Sequence, residues 1–213
     1  MSGNPPIPLY LFAKAPVPGK VKTRMQPRMD AACCARLATK MLIHSVENIL
    51  RHWPGKLVLT VSPHAQFEVF QSLRSSVNME IQVQIDGDLG LRMMHVLKRG
   101  VKETGYSAVM GSDVPHIPGG ALENAYEQLT TRGNVIGPAM DGGFYFLGVG
   151  QEDERIFQDV VWGESTVLAR VRANFSACGL ALASCEECRD IDTWEDLCWL
   201  AGNDPRYREF AGP

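Results

Sequence analysis

Short apolar runs alternate along the chain with longer segments in which apolar residues recur every three or four positions. The short runs predict buried strands, and the longer segments predict amphipathic helices. The predicted strands lie at residues 7–14, 56–62, 80–85, 107–111, 134–138, 144–149 and 180–184. The predicted helices lie at residues 31–53, 65–74, 89–104, 118–132, 165–175 and 194–201.

Strands that alternate with helices are typical of an α/β protein with helices on both faces of a mostly parallel sheet. Polar and apolar residues alternate over 80–85, which predicts a half-exposed strand towards the edge of the sheet. The 213 residues suit one domain, and no linker, repeat or low-complexity segment divides them. We therefore predict a single-domain, three-layer α/β/α fold over residues 1–213.

Capping signals support several of these helix boundaries. Asp30 and Asp88 each stand directly before a predicted helix, where an aspartate caps the first free amides. Thr193 with Asp196 three residues later forms a pair that resembles a capping box. These signals predict that Asp30, Asp88 and Thr193 have a structural role as helix caps.

The first predicted strand leads into a loop stiffened by Pro16 and Pro18, and every charged residue before Asp30 is positive. Its cations are Lys14, Lys20, Lys22, Arg24 and Arg28. Lysine and arginine after a buried strand suit the binding of phosphates, and Gly19 permits close approach of the backbone. The Walker pattern fails, and no Gly-x-Gly-x-x-Gly follows the strand. A phosphate site and a solvated basic loop both remain open from this segment alone.

Asp113 lies just past the predicted strand 107–111, at the strand end where open α/β sheets bind ligands. A carboxylate there suits a divalent cation that bridges phosphates. The alternative is a helix cap before residues 118–132.

Three further acidic segments have two interpretations each. Asp141-Gly142-Gly143 suits either a backbone that passes close to a ligand or a tight hairpin turn. Asp190 and Asp192 are both available as a second carboxylate for a metal. Asp86 is a candidate for contact with a sugar hydroxyl.

Composition limits the class of partner. Hydrophobic residues make up 45% of the chain, charged residues 21%, and the net charge is −3. This balance gives no overall attraction to nucleic acid or to an anionic membrane. No apolar run reaches transmembrane length and no secretory signal is evident, so we expect a cytoplasmic protein. Cys185 and Cys188 have metal-like spacing without a second pair, which favours free thiols over a zinc site.

Five motifs occur in an order that resembles the bacterial DUF2064 family of proposed glycosyltransferases. They are FAKAPVPGKVKTR at 12–24, GDLGLRM at 87–93, GSDVP at 111–115, GPAMDGGFY at 137–145 and DIDTWEDL at 190–197. That family belongs to the nucleotide-diphospho-sugar transferase superfamily. The resemblance covers nearly the whole chain and implies the GT-A fold.

The resemblance implies a nucleotide over the first loop, with Lys22 and Arg24 on its phosphates, and Mg²⁺ or Mn²⁺ held by Asp113 and Asp192. It places Asp141, which we expect to be catalytic together with Lys22 and Arg24, on the acceptor side. The residues expected to bind substrate are Ala13, Lys14, Gly19, Lys22, Arg24, Asp86, Gly87, Gly90, Arg92, Ser112, Asp141, Gly142 and Gly143. Two positions depart from the family pattern: Trp194 replaces a usual proline, and Leu91 a frequent glutamate.

The single carboxylate in Gly111-Ser112-Asp113 bears on the type of reaction. Many metal-dependent glycosyltransferases of this fold carry Asp-x-Asp there, so a lone aspartate resembles nucleotidyl transfer more closely. Glycosyl transfer from a nucleotide sugar to a small-molecule acceptor remains open. The alternatives are a non-catalytic nucleotide-binding module and another α/β phosphoryl-transfer enzyme, which the failed Walker match disfavours. The base, the sugar, the acceptor and the oligomeric state do not follow from the sequence.

Overall fold

The structure is a computed structural model that describes residues 6–77 and 79–212. Seven strands form one sheet in the order β3-β2-β1-β4-β6-β5-β7. The strands are β1 Pro8–Lys14, β2 Lys56–Ser62, β3 Glu80–Val83, β4 Ser107–Gly111, β5 Asn134–Pro138, β6 Phe144–Val149 and β7 Ala183–Ser184. The strand predicted at 80–85 therefore ends at Val83 and lies at the sheet edge, as expected.

The sheet is mostly parallel, which confirms the prediction. β1 pairs in parallel with β2 and β4, and β2 pairs in parallel with β3. β6 runs against both β4 and β5 because the short connection 139–143 joins β5 to β6 as a hairpin. The predicted strand at 180–184 is reduced to β7, which pairs in parallel with β5.

The helices follow the predicted order. They are α1 Ala31–His52, α2 Glu68–Val77, α3 Leu89–Thr104, α4 Gly119–Arg132, α5 Val167–Ala177, α6 Trp194–Asn203 and α7 Arg208–Ala211. Single 3-10 turns occupy Thr23–Met25, Glu154–Phe157 and Pro205–Tyr207. These turns and α7 are too short for a helical period to reveal. None of the described helices combines the length and apolar character that a membrane crossing needs.

The capping predictions are confirmed. Asp30 caps α1 by accepting from the Cys33 amide, and Asp88 caps α3 by accepting from the Leu91 amide. Thr193 and Asp196 form a full capping box at α6. The start of α2 was predicted too early: the Phe67 carbonyl accepts from the amides of Phe70 and Gln71, so the helix begins after it.

Apolar side chains cover both faces of the sheet, which confirms the three-layer α/β/α fold. Leu9 and Leu11 of β1 belong to a core shared with α1, α2 and α4, whereas Tyr10 belongs to a core shared with α3 and α5. Successive residues of a strand point to opposite faces, so one apolar strand supplies both cores. A third cluster packs the segment around Met25 and α1 against α6 and α7.

The order of the strands fixes the place of the site. The chain leaves β1 to one side of the sheet for β2 and returns to the other side for β4. The carboxyl ends of β1 and β4 therefore border a crevice where strand order reverses, the usual ligand position in open α/β sheets. The β5–β6 connection reaches the same edge because β6 is antiparallel to β4.

Candidate functional site

Two pockets open side by side at this edge. We call the first the lysine pocket: a cavity of about 350 Å³ whose lining includes Ala13, Lys14, Lys20, Lys22 and Ser112. We call the second the acidic pocket: a cavity of about 240 Å³ whose lining includes Asp141, Glu164, Asp190, Phe144 and Trp162. Asp113 and Asp192 belong to the walls of both pockets. The structure thus brings residues of all five predicted motifs into one region.

The loop after β1 builds the lysine pocket. The Ala15 amide donates to the Ser62 carbonyl at 2.8 Å, which ties the start of the loop to β2. Gly19 has φ +79, a backbone conformation that glycine adopts without strain. Lys22 has φ 48 and ψ 39, which is uncommon for a residue with a side chain. Its side chain is only 5% exposed.

Lys22 joins the separate parts of the site. Its Nζ donates to Asp113 Oδ1 at 2.5 Å, to the Ile191 carbonyl at 2.6 Å and to Asp192 Oδ1 at 2.9 Å. The three donors of the ammonium group therefore all have acceptors. Burial alone lowers the pKa of Lys22, but Asp113 and Asp192 together outweigh it and raise that pKa above its ordinary value. Lys22 is consequently a buried, charged centre of the site.

The two carboxylates that contact Lys22 are held by different elements. Asp113 follows β4 and does not cap α4, whose N-cap is Pro118. Its carbonyl accepts from the Ile191 amide at 3.0 Å, which links the β4 loop to the segment before α6. Asp192 directly precedes the Thr193 cap, and its amide donates to Asp196 Oδ2 at 3.3 Å. The capping box of α6 thus fixes the backbone that carries Asp192.

The donor set suits a hard divalent cation. Asp113, Asp192 and the Ile191 carbonyl present oxygen atoms to one point, and oxygen is the ligand that Mg²⁺ and Mn²⁺ prefer. Over residues 6–77 and 79–212, no three His, Cys, Asp or Glu side chains form a metal cluster. Magnesium commonly takes one or two carboxylates and completes its shell with water and substrate phosphates. The residues therefore fit a cation shared with a phosphate ligand.

The β5–β6 hairpin forms one wall of the acidic pocket. Asp141 Oδ1 accepts from the Gly143 amide at 2.8 Å, so the hairpin interpretation is correct, and Asp141 also lines the pocket. Gly142 has φ +88, and a Cβ there would lie 2.1 Å from the Ser165 carbonyl oxygen. The Gly142 carbonyl accepts from the Leu168 amide at 2.9 Å. Gly142 is thus required by contact with the segment around Ser165.

The acidic pocket carries negative charge without internal compensation. Its lining contains no lysine, arginine or histidine. Within the described part of the chain, no cation pairs with Asp141, Glu164 or Asp190. Burial first, and then the charge of Asp141, raise the pKa of Asp190 from 3.8 to about 6. The pocket is therefore a poor environment for an anion.

Arg24 and Asp86 lie outside both pockets. Arg24 is exposed on the 3-10 turn after the loop, and Asp86 is exposed in the connection from β3 to α3. Their predicted contacts with substrate stay predictions.

Three residues of the motif at 87–93 support the site from behind. Arg92 Nε donates to the Gly87 carbonyl at 2.8 Å, and its Nη1 donates to Gln84 Oε1 at 3.4 Å. Gln84 itself lines the lysine pocket. Gly90 is buried, and a Cβ there would lie 2.9 Å from Cζ2 of Trp162. Gly90 thus lets α3 approach the tryptophan of the acidic pocket.

Sequence reasoning missed several lining residues. Gln84 falls at the end of an edge strand, and Trp162 and Glu164 fall in an irregular segment before α5. The alternation over 80–85 marks Gln84 only as a polar position of a strand, and no periodic pattern marks Trp162 or Glu164. Asp190 had a visible signal, since it shares the Asp-x-Asp of 190–192, but only Asp192 was selected from that pair.

Known proteins that resemble this chain identify a family and a fold. The family model DUF2064, described as an uncharacterised protein conserved in bacteria, matches residues 45–164. No curated protein sequence matches the chain.

Solved structures share the fold at low sequence identity. A proposed nucleotide-diphospho-sugar transferase from Desulfovibrio desulfuricans G20 is 24% identical, with a TM-score of 0.78 over 95% of this chain and 97% of that one. CMP:2-keto-3-deoxy-manno-octonic acid synthetase complexed with CTP is 8% identical, with a TM-score of 0.61 over 95% and 100%. Rv0371c from Mycobacterium tuberculosis H37Rv, in complex with manganese, is 14% identical, with a TM-score of 0.52 over 93% and 98%. These likenesses show the α/β fold of nucleotide-diphospho-sugar transferases.

Proposed function

This chain belongs to the DUF2064 family, and from that premise and the site geometry we propose that it is a metal-dependent transferase with a nucleotide substrate. The observation that carries the proposal is the meeting of two pockets of opposite charge at Asp113 and Asp192. One pocket suits the phosphates of a donor, and the other suits an acceptor. A cytoplasmic location stays a prediction.

The lysine pocket is the donor side. Lys14, Lys20 and Lys22 line it, and point charges of this kind bind phosphate oxygens. Arg24 lies outside the pocket, on the exposed turn that follows the loop, and we assign it to the outer phosphates. A Mg²⁺ or Mn²⁺ ion held by Asp113 and Asp192 would neutralise charge that develops on the phosphates. The CTP complex and the manganese complex of proteins with this fold support the proposal.

Nucleotidyl transfer is the reaction that we favour. Asp113 is the only carboxylate of the segment Gly111-Ser112-Asp113, and Asp192 comes from the distant α6 end. In this reaction a hydroxyl or phosphate of the acceptor attacks the α-phosphorus and pyrophosphate leaves. The protein mainly positions the triphosphate and compensates its charge. Glycosyl transfer would use the same cations to stabilise a leaving nucleoside diphosphate.

The acidic pocket is the acceptor side and narrows the choice of acceptor. Asp141, Glu164 and Asp190 would repel a phosphorylated or carboxylated compound there. Phe144 and Trp162 offer apolar faces on which a sugar ring can pack. We therefore assign the pocket to a hydroxyl-bearing acceptor without negative charge, with Asp141 orienting the attacking hydroxyl.

A ligand screen tests the proposed function. Thermal stability is measured with each of the four common nucleoside triphosphates and with several nucleotide sugars, with and without Mg²⁺ or Mn²⁺. A ligand at 100 times its Kd adds about 2.7 kcal/mol to the free energy of unfolding. A metal-dependent shift with one triphosphate supports nucleotidyl transfer, and a shift only with a nucleotide sugar supports glycosyl transfer. Binding without turnover of any acceptor would identify a binding module, and no shift at all would contradict the nucleotide assignment.

Asp113→Asn is the sharpest variant for the metal assignment. It keeps the shape of the side chain and removes its charge. We expect the metal-dependent thermal shift to disappear and turnover to fall about 100-fold or more, because charge compensation dominates this chemistry. Glu127→Gln is the matched control, because it removes the charge of an exposed carboxylate on α4. Intact metal-dependent binding and turnover in Asp113→Asn would show that the metal assignment is wrong.

A further inference from the structure

We propose that Lys22 holds the place of the divalent cation until a nucleotide arrives, so that nucleotide and metal bind cooperatively. The inference rests on the proposed function for the identity of the two ligands. It concerns an exchange that the proposed function does not include. The ammonium group moves from the two carboxylates to the phosphates of the nucleotide, and the carboxylates then become free for the metal.

The geometry of Lys22 carries the first step. Its Nζ lies 2.5 Å from Asp113 Oδ1, 2.9 Å from Asp192 Oδ1 and 2.6 Å from the Ile191 carbonyl oxygen. Those are the same oxygen atoms that fit a divalent cation. A divalent cation cannot occupy the point where Nζ lies, because the two cations would repel each other at close range. Lys22 therefore blocks the metal position by occupying it.

The accessibility of the carboxylates carries the second step. The side chains of Asp113 and Asp192 are 50% and 38% exposed, whereas that of Lys22 is 5% exposed. A cation from solvent can therefore reach the carboxylates from the open side while Lys22 contacts them from within. The carboxylates are thus accessible to a cation before Lys22 leaves, but their negative charge is already compensated.

The position of Lys22 in the loop carries the third step. It lines the lysine pocket together with Lys14 and Lys20, so a phosphate there would lie beside its flexible stem. Its backbone is held in the left-handed region, φ 48 and ψ 39, a strained conformation that persists at functional sites. A change of side-chain rotamer towards the phosphate would release both carboxylates together.

Reciprocity follows from linkage. If a nucleotide tightens metal binding by removing Lys22, the metal tightens nucleotide binding by the same factor. Removing the Lys22 charge should abolish most of this coupling and should expose the metal site in the absence of nucleotide. If Lys22 had only a structural role, removing its charge would not increase the affinity for the metal.

The experiment is a titration with Mn²⁺ alone, in which free Mn²⁺ is followed by its electron paramagnetic resonance signal. We expect Lys22→Met to bind Mn²⁺ at least tenfold more tightly than the wild-type protein. Lys20→Met removes a charge from the same pocket, yet Lys20 does not contact the carboxylates, so we expect less than a threefold change. Lys22→Arg keeps the charge, so we expect it to bind Mn²⁺ as weakly as the wild-type protein does. Lys22→Gln, which is uncharged but offers two N–H donors, replaces Lys22→Met if that variant does not fold.

A second titration with CTP at fixed concentration measures the coupling, after the Mn²⁺ bound by CTP alone has been determined separately. Wild type should bind Mn²⁺ at least tenfold more tightly with CTP, and Lys22→Met should show less than a threefold effect. Equal Mn²⁺ affinity in Lys22→Met and Lys20→Met would overturn the exchange, even if nucleotide turnover is found. Tighter Mn²⁺ binding by Lys22→Met without any effect of CTP would support place-holding by Lys22 and count against CTP as the nucleotide.

Discussion

The lysine pocket and the acidic pocket share Asp113 and Asp192, yet they differ in charge and in how the chain builds them. Three lysines line the first, whereas the second has no cation in its lining and three carboxylates that pair with no cation among the described residues. The largest share of the first comes from the end of β1 and the loop that follows it. The second combines the β5–β6 hairpin, the segment before α5 and the segment before α6. The proposed donor and acceptor sides thus differ in charge and meet at one pair of shared residues.

The largest effect on stability that we predict comes from a variant that changes the acidic pocket alone. Gly142→Ala should reduce the free energy of unfolding by roughly 3 kcal/mol, which combines left-handed strain with overpacking. The added Cβ would lie 2.1 Å from the Ser165 carbonyl oxygen at a residue with φ +88. Denaturant unfolding measures the loss. The folded fraction should keep the affinity of the lysine pocket for metal and nucleotide.

Gly163→Ala is the matched control for that prediction. Gly163 lines the same pocket and has the same φ of +88, but a Cβ there would meet no atom within 4 Å. We expect only the strain component, about 1 kcal/mol. Equal losses in the two variants would show that the Ser165 contact does not hold the hairpin.

The contrast between the pockets also explains what the sequence could predict. Lys14 ends β1, Lys22 lies in the loop after it, and Asp113 lies just past β4. A strand end is a position that local pattern determines. The acidic pocket depends on Trp162 and Glu164, which follow no periodic pattern, and on the return of the chain beside β4. Local pattern cannot show which distant segments meet.

Lys22 shows the same limit at the level of one side chain. Its place in a basic loop predicted contact with phosphates, and that contact stays a prediction. Its direction in the structure depends on Asp113 and Asp192, which lie 91 and 170 residues later in the chain. The fold class, the edge position of the strand at 80–85 and the capping residues were predicted because short-range spacing determines them.

A smaller effect is expected where the two pockets meet. Thr193→Ala removes the capping box of α6 and should cost roughly 1 to 2 kcal/mol of unfolding free energy. Because the cap holds the backbone next to Asp192, metal affinity should weaken together with stability. Thr193→Ser keeps the hydroxyl and should change both quantities little. A stability loss without any change in Mn²⁺ binding would show that Lys22 and Asp113 suffice to hold Asp192.

The smallest effect that we predict is on the pH dependence of stability, and it tests the difference in charge between the two pockets. Burial and Asp141 raise the pKa of Asp190 from 3.8 to about 6, so the folded protein binds the proton more tightly than the unfolded chain. Stability therefore falls as pH rises from about 4 to about 6, and the loss is complete above that range. Asp190→Asn should match wild type near pH 4 and exceed it above pH 6 by about 1 kcal/mol, after allowance for solvent screening of a half-buried group. Glu164→Gln, in an exposed part of the same pocket, should stay within about 0.5 kcal/mol of wild type at every pH. A gain in Asp190→Asn that is the same at pH 4 and pH 8 would locate the benefit in packing, and the acidic pocket would then lose its electrostatic distinction from the lysine pocket.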